Sequence, residues 1–372
     1  MDQRLNKKLQ SRHFMRGMSL PEILAAVLIG LIGMVVIMQV YATSEERKRT
    51  TTGTSDAQIN GNIAMFTLES AMRSAGFGMV SAAFNMLGCT TSAYNSNRPA
   101  PDFTFLMAPV VITVGAGGAP DKITVAYGSS PNVVEGLAFV GGAASGADFP
   151  LKNAAGIQVG DLVVASETGL NCSLAEVTGF VPASINTVQH PNGLAYSYVD
   201  ALGNTISPTA SYNKGGGSGV AYTTAALLFT LGRAPTVMTY QIGNDKLQTK
   251  TLIPYVPAQD ADGDGTSDAD VGDGIVQLKA LYGKDMDGDF VVDTWNTTLP
   301  ANAAQWMQVR AIRVALLARS AKFEKTAVTA AAPTWSGGAF TMTNPADGTD
   351  WRFYRYRVYE TVVPLRNMIW SN

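Results

Sequence analysis

The strongest hydrophobic pattern in the chain is an unbroken apolar stretch near its beginning. Between Met18 and Tyr41 the only acidic or basic side chain is Glu22. A helix over these residues would be about 36 Å long, which is enough to cross a hydrocarbon core of about 30 Å. The pattern therefore predicts a membrane-spanning helix over residues 18–41.

A second helical pattern follows in residues 42–77. Its polar beginning contains Gly53, which predicts a weakened or bent helix there. Ile59, Ile63 and Phe66 then recur at the spacing of one helix face. We expect this amphipathic half to pack that apolar face on a sheet.

Beyond residue 78 the pattern changes to the two-residue alternation that is typical of β-strands. The alternating segments are 121–127, 235–242, 246–252, 309–320 and 352–363. Gly243-Asn244-Asp245 separates two of them and predicts a hairpin. The sequence therefore predicts an α+β fold, in which a long N-terminal α-helix packs on a mainly antiparallel β-sheet head.

Charged residues are scarce and unevenly distributed. They make up 15% of the 372 residues, against about 25% in typical soluble domains. Residues 1–17 hold five basic residues and one acidic residue, so the rest of the chain is acidic. By the positive-inside rule, the basic segment keeps the N-terminal end in the cytoplasm. The acidic remainder and a pI near 5.8 argue against a nucleic-acid-binding protein, so we expect no direct binding of nucleic acid.

Glu22 is the residue that conflicts with a plain membrane anchor. A carboxylate inside an apolar span is costly unless it is paired, so it marks a functional site by default. An ordinary signal anchor leaves Glu22 unexplained. A cleaved signal peptide fits poorly, because no small-residue cleavage site follows the apolar stretch at the usual distance.

The residues around Glu22 carry a more specific motif. Gly17-Met18-Ser19-Leu20-Pro21-Glu22 resembles the processing site of the type IV prepilin family. The resemblance implies that a prepilin peptidase cuts after Gly17, that residues 1–17 are a leader peptide, and that Met18 becomes the N-methylated first residue. It also implies that Glu22 neutralises the Met18 amine of a neighbouring subunit during filament assembly.

The most acidic part of the chain lies between Asp260 and Asp293. Two segments there carry a carboxylate at every second position, as in the Ca²⁺ loop of an EF-hand. We call them the first acidic loop, 260–268, and the second acidic loop, 285–293. The sequence predicts Ca²⁺ at one or both loops, and a solvated acidic turn is the alternative. The candidate ligands are Asp260, Asp262, Asp264 and Asp268 in the first and Asp285, Asp287, Asp289 and Asp293 in the second.

The two acidic loops differ at their sixth position, where an EF-hand loop makes a sharp turn. Gly265 occupies this position in the first loop. Phe290 occupies it in the second, with Gly288 two positions earlier. We therefore expect the second loop to turn differently from the first.

Several blocks towards the C-terminal end resemble the PilW-type minor pilins. These blocks are 274–285, 287–295, 309–319 and 356–367. The resemblance implies a pilin-like fold with a globular head over 78–372. Because that head is larger than a minimal pilin head, we expect an inserted β-rich subdomain within it.

Cys89 and Cys172 lie 83 positions apart and are the two cysteines of the chain. Both fall in the part that is expected outside the cytoplasm, where disulfides form. We favour a disulfide between them, and two buried free thiols are the alternative.

The resemblance implies a structural function rather than an enzymatic one. The expected role is a minor pilin in a tip complex that primes type IV pilus assembly, which serves twitching motility, adhesion or DNA uptake. The expected partners are the prepilin peptidase, other minor pilins, the major pilin and a large tip adhesin. The expected location is the inner membrane, with the head in the periplasm, and then the pilus at the cell surface.

Two other functions compete with this one. A type II secretion pseudopilin shares the leader and the apolar helix. A membrane-anchored periplasmic enzyme is disfavoured, because the sequence has no Walker A loop, no GxSxG elbow and no His/Cys metal spacing.

Overall fold

The computed structural model of the chain describes residues 19–79, 86–131, 135–200 and 202–369. One long N-terminal helix precedes a body of mostly antiparallel β-sheet. The chain forms two compact units, residues 1–52 and residues 53–372. The α+β class predicted from the sequence is confirmed.

Helix α1 runs from Leu20 to Ser74. It includes residues 42–54, where the polar sequence predicted a weakened or bent helix. Gly76 follows the end of the helix with a φ of 78°, the left-handed conformation that commonly terminates helices. The two helical patterns of the sequence therefore form one element.

The face of α1 that packs on the body is not the predicted one. Ile59, Ile63 and Phe66 are exposed, Phe66 by 73%. The buried face includes Ala57, Gly61, Ala64, Leu68 and Met72, with Met65 beside it. Small residues allow a sheet to approach the helix closely, and long flexible ones fill the remaining space. The prediction failed because both faces of the helix carry residues at helical spacing.

Among the described residues, the body contains strands of two to eleven residues, two short α-helices and several 3₁₀ turns. In chain order the strands are β1 (Thr90–Tyr94), β2 (Asp102–Leu106), β3 (Val110–Thr113), β4 (Lys122–Tyr127), β5 (Leu137–Ala138), β6 (Phe149–Pro150), β7 (Leu162–Ser166), β8 (Cys172–Glu176), β9 (Gly179–Val181), β10 (Ser184–Gln189), β11 (Tyr198–Val199), β12 (Thr205–Ile206), β13 (Leu227–Gly232), β14 (Thr236–Gly243), β15 (Lys246–Ile253), β16 (Ser267–Asp273), β17 (Ile275–Lys284), β18 (Thr294–Asn296), β19 (Val309–Arg319), β20 (Thr334–Trp335), β21 (Gly338–Ala339) and β22 (Tyr356–Pro364). The short helices are α2 (Ala303–Met307) and α3 (Arg366–Ile369).

Three larger sheets organise the body. Their strand orders are β2-β1-β8-β7-β13-β5, β16-β15-β14-β4-β3 and β18-β17-β19-β22. Among the described strand pairs only β1 and β8 run parallel. Antiparallel sheets tolerate solvent on one face. The residues of β1 alternate in burial accordingly, whereas β7 and β8 are buried along their whole length.

The hydrophobic interior is divided into separate clusters. The main core joins Leu68 and Met72 of α1 to Ile123 of β4, Tyr240 of β14 and Leu316 of β19. A second core, which includes Phe139, Phe149, Val163 and Leu228, lies among the strands between β5 and β13. This second core falls in the region that precedes the PilW-like blocks.

The predicted hairpin is present at residues 243–245. Strands β14 and β15 pair with Gly243 opposite Lys246. Asn244 and Asp245 have φ values of 51° and 58°, as a two-residue hairpin turn of type I′ requires. Asn and Asp tolerate this conformation better than most residues, so the local sequence accounts for the turn.

Candidate functional sites

The start of α1 is the first candidate site. Gly17 and Met18 lie outside the described residues. The backbone N–H and the hydroxyl of Ser19 both donate to a carboxylate oxygen of Glu22, at 3.0 and 3.1 Å. This Ser-x-x-Glu arrangement is half of a capping box, in which a glutamate in the first turn satisfies the N–H of the capping residue. Within one chain, therefore, Glu22 already has a local structural role.

The first part of α1 is a candidate membrane span. Residues Leu20–Glu45 have a mean hydropathy of 2.7, and the side chains of 20–44 are exposed. Such a surface is unfavourable in water, because apolar area in contact with water costs free energy. The segment is long and apolar enough to act as a single membrane anchor.

The first acidic loop connects β15 to β16 and is closed by hydrogen bonds to its own aspartates. Asp260 accepts the N–H groups of Gly263 and Gly265, at 2.8 and 3.0 Å. Asp268 accepts the N–H of Ala261 at 3.2 Å. The first and last carboxylates of the motif therefore hold the loop backbone in one conformation.

The second acidic loop connects β17 to β18 and repeats this arrangement with each residue shifted by 25 positions. Asp285 accepts the N–H groups of Gly288 and Phe290, at 2.6 and 3.1 Å. Asp293 accepts the N–H of Met286 at 2.6 Å. The two loops therefore share one hydrogen-bonding pattern.

The prediction that the second loop turns differently is wrong. Phe290 has a φ of 68°, close to the 80° of Gly265 at the matching position. A left-handed conformation is unfavourable for a residue with a Cβ. The hydrogen bonds of Asp285 and the packing of the phenylalanine ring on Arg310, 4.8 Å from its guanidinium carbon to the ring centre, hold it there.

The two loops differ most in the basic side chains that contact them. In the first loop the ammonium of Lys250 lies 2.8, 2.7 and 3.0 Å from carboxylate oxygens of Asp262, Asp264 and Asp268. Burial by itself lowers the pKa of Lys250, but these three hydrogen-bonded carboxylates raise it overall. Lys250 therefore contacts three of the four aspartates of the first loop and offsets one of their negative charges.

In the second loop a single basic side chain contacts a single aspartate. The guanidinium Nε of Arg310 donates to Asp285 at 3.0 Å, and the Asp285 side chain is fully buried. Burial raises the pKa of Asp285, but the Gly288 N–H and Arg310 hold it below its ordinary value. Among the described residues, no lysine or arginine forms an ion pair with the remaining aspartates of this loop, Asp287, Asp289 and Asp293.

Each loop gathers carboxylate oxygens that a cation could share. One oxygen from each of three aspartates lies within 4.8 Å of the others in both loops. The groups are Asp260, Asp262 and Asp268 in the first loop and Asp285, Asp287 and Asp289 in the second. Oxygen donors in a flexible loop are the ligands that Ca²⁺ prefers.

Sequence reasoning missed the basic residues that contact the loops. Lys250 lies on β15 directly across from Asp268 of β16, and Arg310 reaches the second loop from β19. Arg98 donates to the carbonyl of Gly265 at 2.8 Å from a distant part of the chain. The hairpin register could have suggested Lys250, but no local pattern indicates the two arginines.

A disulfide joins Cys89 and Cys172, with their Cα atoms 6.0 Å apart. Cys172 is the first residue of β8, which pairs in parallel with β1 immediately after Cys89. The bond therefore closes an 83-residue separation beside the parallel strand pair.

These features define a class: an α+β protein with a candidate N-terminal membrane anchor and an acidic, β-rich body. Residues 239–367 match the family model described as type IV pilus-assembly protein W, PilW. The match contains both acidic loops and strands β17, β19 and β22, and it confirms the resemblance to PilW-type proteins of type IV pilus assembly. No curated protein and no solved structure matches the chain.

Proposed function

We propose that this protein is a minor pilin, a structural component of the tip complex that primes assembly of the type IV pilus. The observation that carries the proposal is the PilW match over 239–367 in a chain that also has an exposed apolar helical segment at Leu20–Glu45. The prepilin-like motif at 17–22 adds to it. A structural role fits a family that is described by assembly rather than by catalysis.

Maturation begins at the N-terminal motif. The prepilin peptidase cuts after Gly17, and Met18 becomes the methylated first residue of the mature chain. Before assembly, Leu20–Glu45 anchors the protein in the inner membrane with the body in the periplasm. The mature subunit then enters the pilus at the cell surface.

During assembly the apolar helix leaves the lipid bilayer and packs against the helices of neighbouring subunits. Glu22 leaves its contact with Ser19 and neutralises the Met18 amine of a neighbouring subunit, since an ion pair lowers the cost of both charges in an apolar core. The exposed residues Ile59, Ile63 and Phe66 offer a further apolar surface to neighbouring pilins. The partners are the other minor pilins, the major pilin and a large tip adhesin.

The test combines processing with assembly in cells that lack the chromosomal gene. Complementation with the wild-type chain should restore surface pili and twitching, and mass spectrometry should find a mature N-terminus at Met18. Gly17→Ala should block the cut, whereas Glu22→Ala should leave it intact and reduce piliation. Normal pili without the gene, together with a defect in type II secretion, would instead identify a pseudopilin.

We also propose that Ca²⁺ binds the acidic loops, and the second more tightly than the first. The three-aspartate clusters favour cation binding, and in the first loop Lys250 already contacts three of the four carboxylates. Calorimetric titration of the full chain in detergent should give heat that Asp287→Asn reduces more than Asp262→Asn. Absence of heat in the wild type, with the same melting temperature in chelator, would overturn the proposal.

A further inference from the structure

The tip of the second acidic loop exposes three large apolar side chains. Met286 is 55% exposed, Phe290 56% and Val291 61%. They lie within six residues of one another on a loop that connects β17 to β18. Exposed apolar residues that are grouped in this way commonly mark an interaction surface.

The first acidic loop supplies an internal comparison, because it has the same hydrogen-bonding pattern. At the positions that match Met286, Phe290 and Val291 it carries Ala261, Gly265 and Thr266. The loop conformation therefore needs no apolar side chains. Glycine would suit the left-handed conformation of residue 290 better than phenylalanine does, so the ring is not explained by the turn.

The apolar tip is held rigidly. The buried ion pair between Arg310 and Asp285 fixes the start of the loop to β19, and the ring of Phe290 packs against the Arg310 guanidinium. Hydrogen bonds from Met286 and Val291 to Asp293 and Asp289 fix the backbone on either side. A surface whose side chains are already positioned loses less entropy on binding.

The charge around the tip indicates the kind of partner. Asp287, Asp289 and Asp293 are exposed beside the apolar residues, and no ion pair of theirs is found among the described residues. With four aspartates and one arginine, the loop stays negative even with one divalent cation bound. An anionic lipid surface would repel it, whereas lysine and arginine side chains on a protein would attract it.

We propose that Met286, Phe290 and Val291 form a docking surface for another protein, one that presents an apolar pocket bordered by lysine or arginine. Phe290 is the central anchor. Asp293, which lies outside the carboxylate cluster proposed to bind Ca²⁺, pairs with the basic border, and Asp287 and Asp289 add their charge to the attraction. Aromatic side chains that enter a pocket at the centre of an interface often carry most of its binding energy. This inference does not depend on pilus assembly, which the piliation assay tests separately.

The experiment is photocrosslinking of the full chain in its native cells. p-Benzoylphenylalanine is introduced in place of Met286 and, as a matched control, in place of Ala261, which is exposed at the same position of the first loop. We expect a crosslink from position 286 to another protein, at a peptide with apolar and basic residues, and about tenfold less from position 261. Phe290→Gly in the position-286 protein should reduce the crosslink about tenfold.

Phe290→Gly separates docking from folding, because glycine suits the left-handed conformation and the loop should form as before. A crosslink that survives this change, an equal crosslink from position 261, or a crosslink that reaches only another copy of this chain would overturn the proposal. So would the absence of any protein crosslink. A second measurement tests for lipid contact. Phe290→Trp adds a fluorescent side chain at the tip, and the full chain carrying it is placed in vesicles that contain brominated phosphatidylglycerol. Quenching of the fluorescence that this tryptophan adds to the wild-type signal would show that the tip enters lipid, which would also overturn the proposal.

Discussion

Tyr359 of β22 lies directly against Gly61 of α1. Its hydroxyl donates to the main-chain carbonyl of Gln58 at 3.1 Å, and a Cβ atom at residue 61 would overlap the tyrosine ring. A C-terminal strand of the PilW-matched region and the second half of α1 are thus in contact through a glycine.

Enlarging Gly61 should therefore loosen that contact. We expect Gly61→Val to destabilise the body by about 2 kcal/mol, since overpacking of a tight interface costs that order of free energy. Thermal unfolding of the full chain in detergent, followed by circular dichroism, measures the change. Gly33→Val is the control, because nothing lies within 4 Å of a Cβ at residue 33.

The buried pair of Asp285 and Arg310 should make stability depend on pH. The pKa of Asp285 is lower in the folded chain than its ordinary value, so the unfolded chain binds the proton more tightly. The stabilisation is complete above about pH 5 and is lost as the pH falls through the folded pKa. Melting temperatures measured from pH 6 to pH 3 should fall less steeply in Asp285→Asn than in the wild type.

Removing the same carboxylate should also cost stability at neutral pH. Asp285→Asn leaves the buried Arg310 without its counter-ion, which should destabilise the fold by about 3 kcal/mol. With a chelator present in all samples, Asp289→Asn is the matched control, because it removes an exposed carboxylate of the same loop that pairs with no described basic residue. Equal losses in both variants would contradict the role of the ion pair.

Lys250 should compete with a metal for the first acidic loop. Its ammonium lies within 3.0 Å of three aspartates, so Lys250→Met should strengthen Ca²⁺ binding there by about tenfold. Calorimetry in a background of Asp287→Asn isolates the first loop. Lys246→Met, which removes a lysine that pairs with Asp270 and Asp273 outside the loop, should leave the affinity unchanged.

The disulfide between Cys89 and Cys172 should stabilise the body strongly. Closing an 83-residue separation reduces the entropy of the unfolded chain, a contribution of about 4 kcal/mol in the chain-entropy model. The double variant Cys89→Ser/Cys172→Ser should melt at a correspondingly lower temperature. Intact mass with and without reductant checks that the bond forms in the exported protein, and an unchanged mass after reduction would show two free thiols.

Features that depend on neighbouring residues could be predicted from the sequence. The apolar run gives α1 its candidate membrane segment because length and hydropathy are sufficient for a span. Asn244 and Asp245 predict the β14–β15 turn because they tolerate left-handed backbone. The spacing of the aspartates similarly brings one oxygen from each of three carboxylates within 4.8 Å of the others in each acidic loop.

Features that depend on residues far apart in the chain could not be predicted from the sequence. Periodicity identified a helix after residue 55 but selected Ile59, Ile63 and Phe66 as the packed face, because spacing does not reveal which face a strand such as β22 can approach closely. Phe290 has the same turn conformation as Gly265 because Arg310 and Asp285, from a neighbouring strand and the loop start, support it. The local sequence pattern thus determined which secondary-structure elements form and which ligand atoms each acidic loop carries. Only long-range packing selected the buried helix face and the cation beside each loop, because these depend on contacts between residues far apart in the chain.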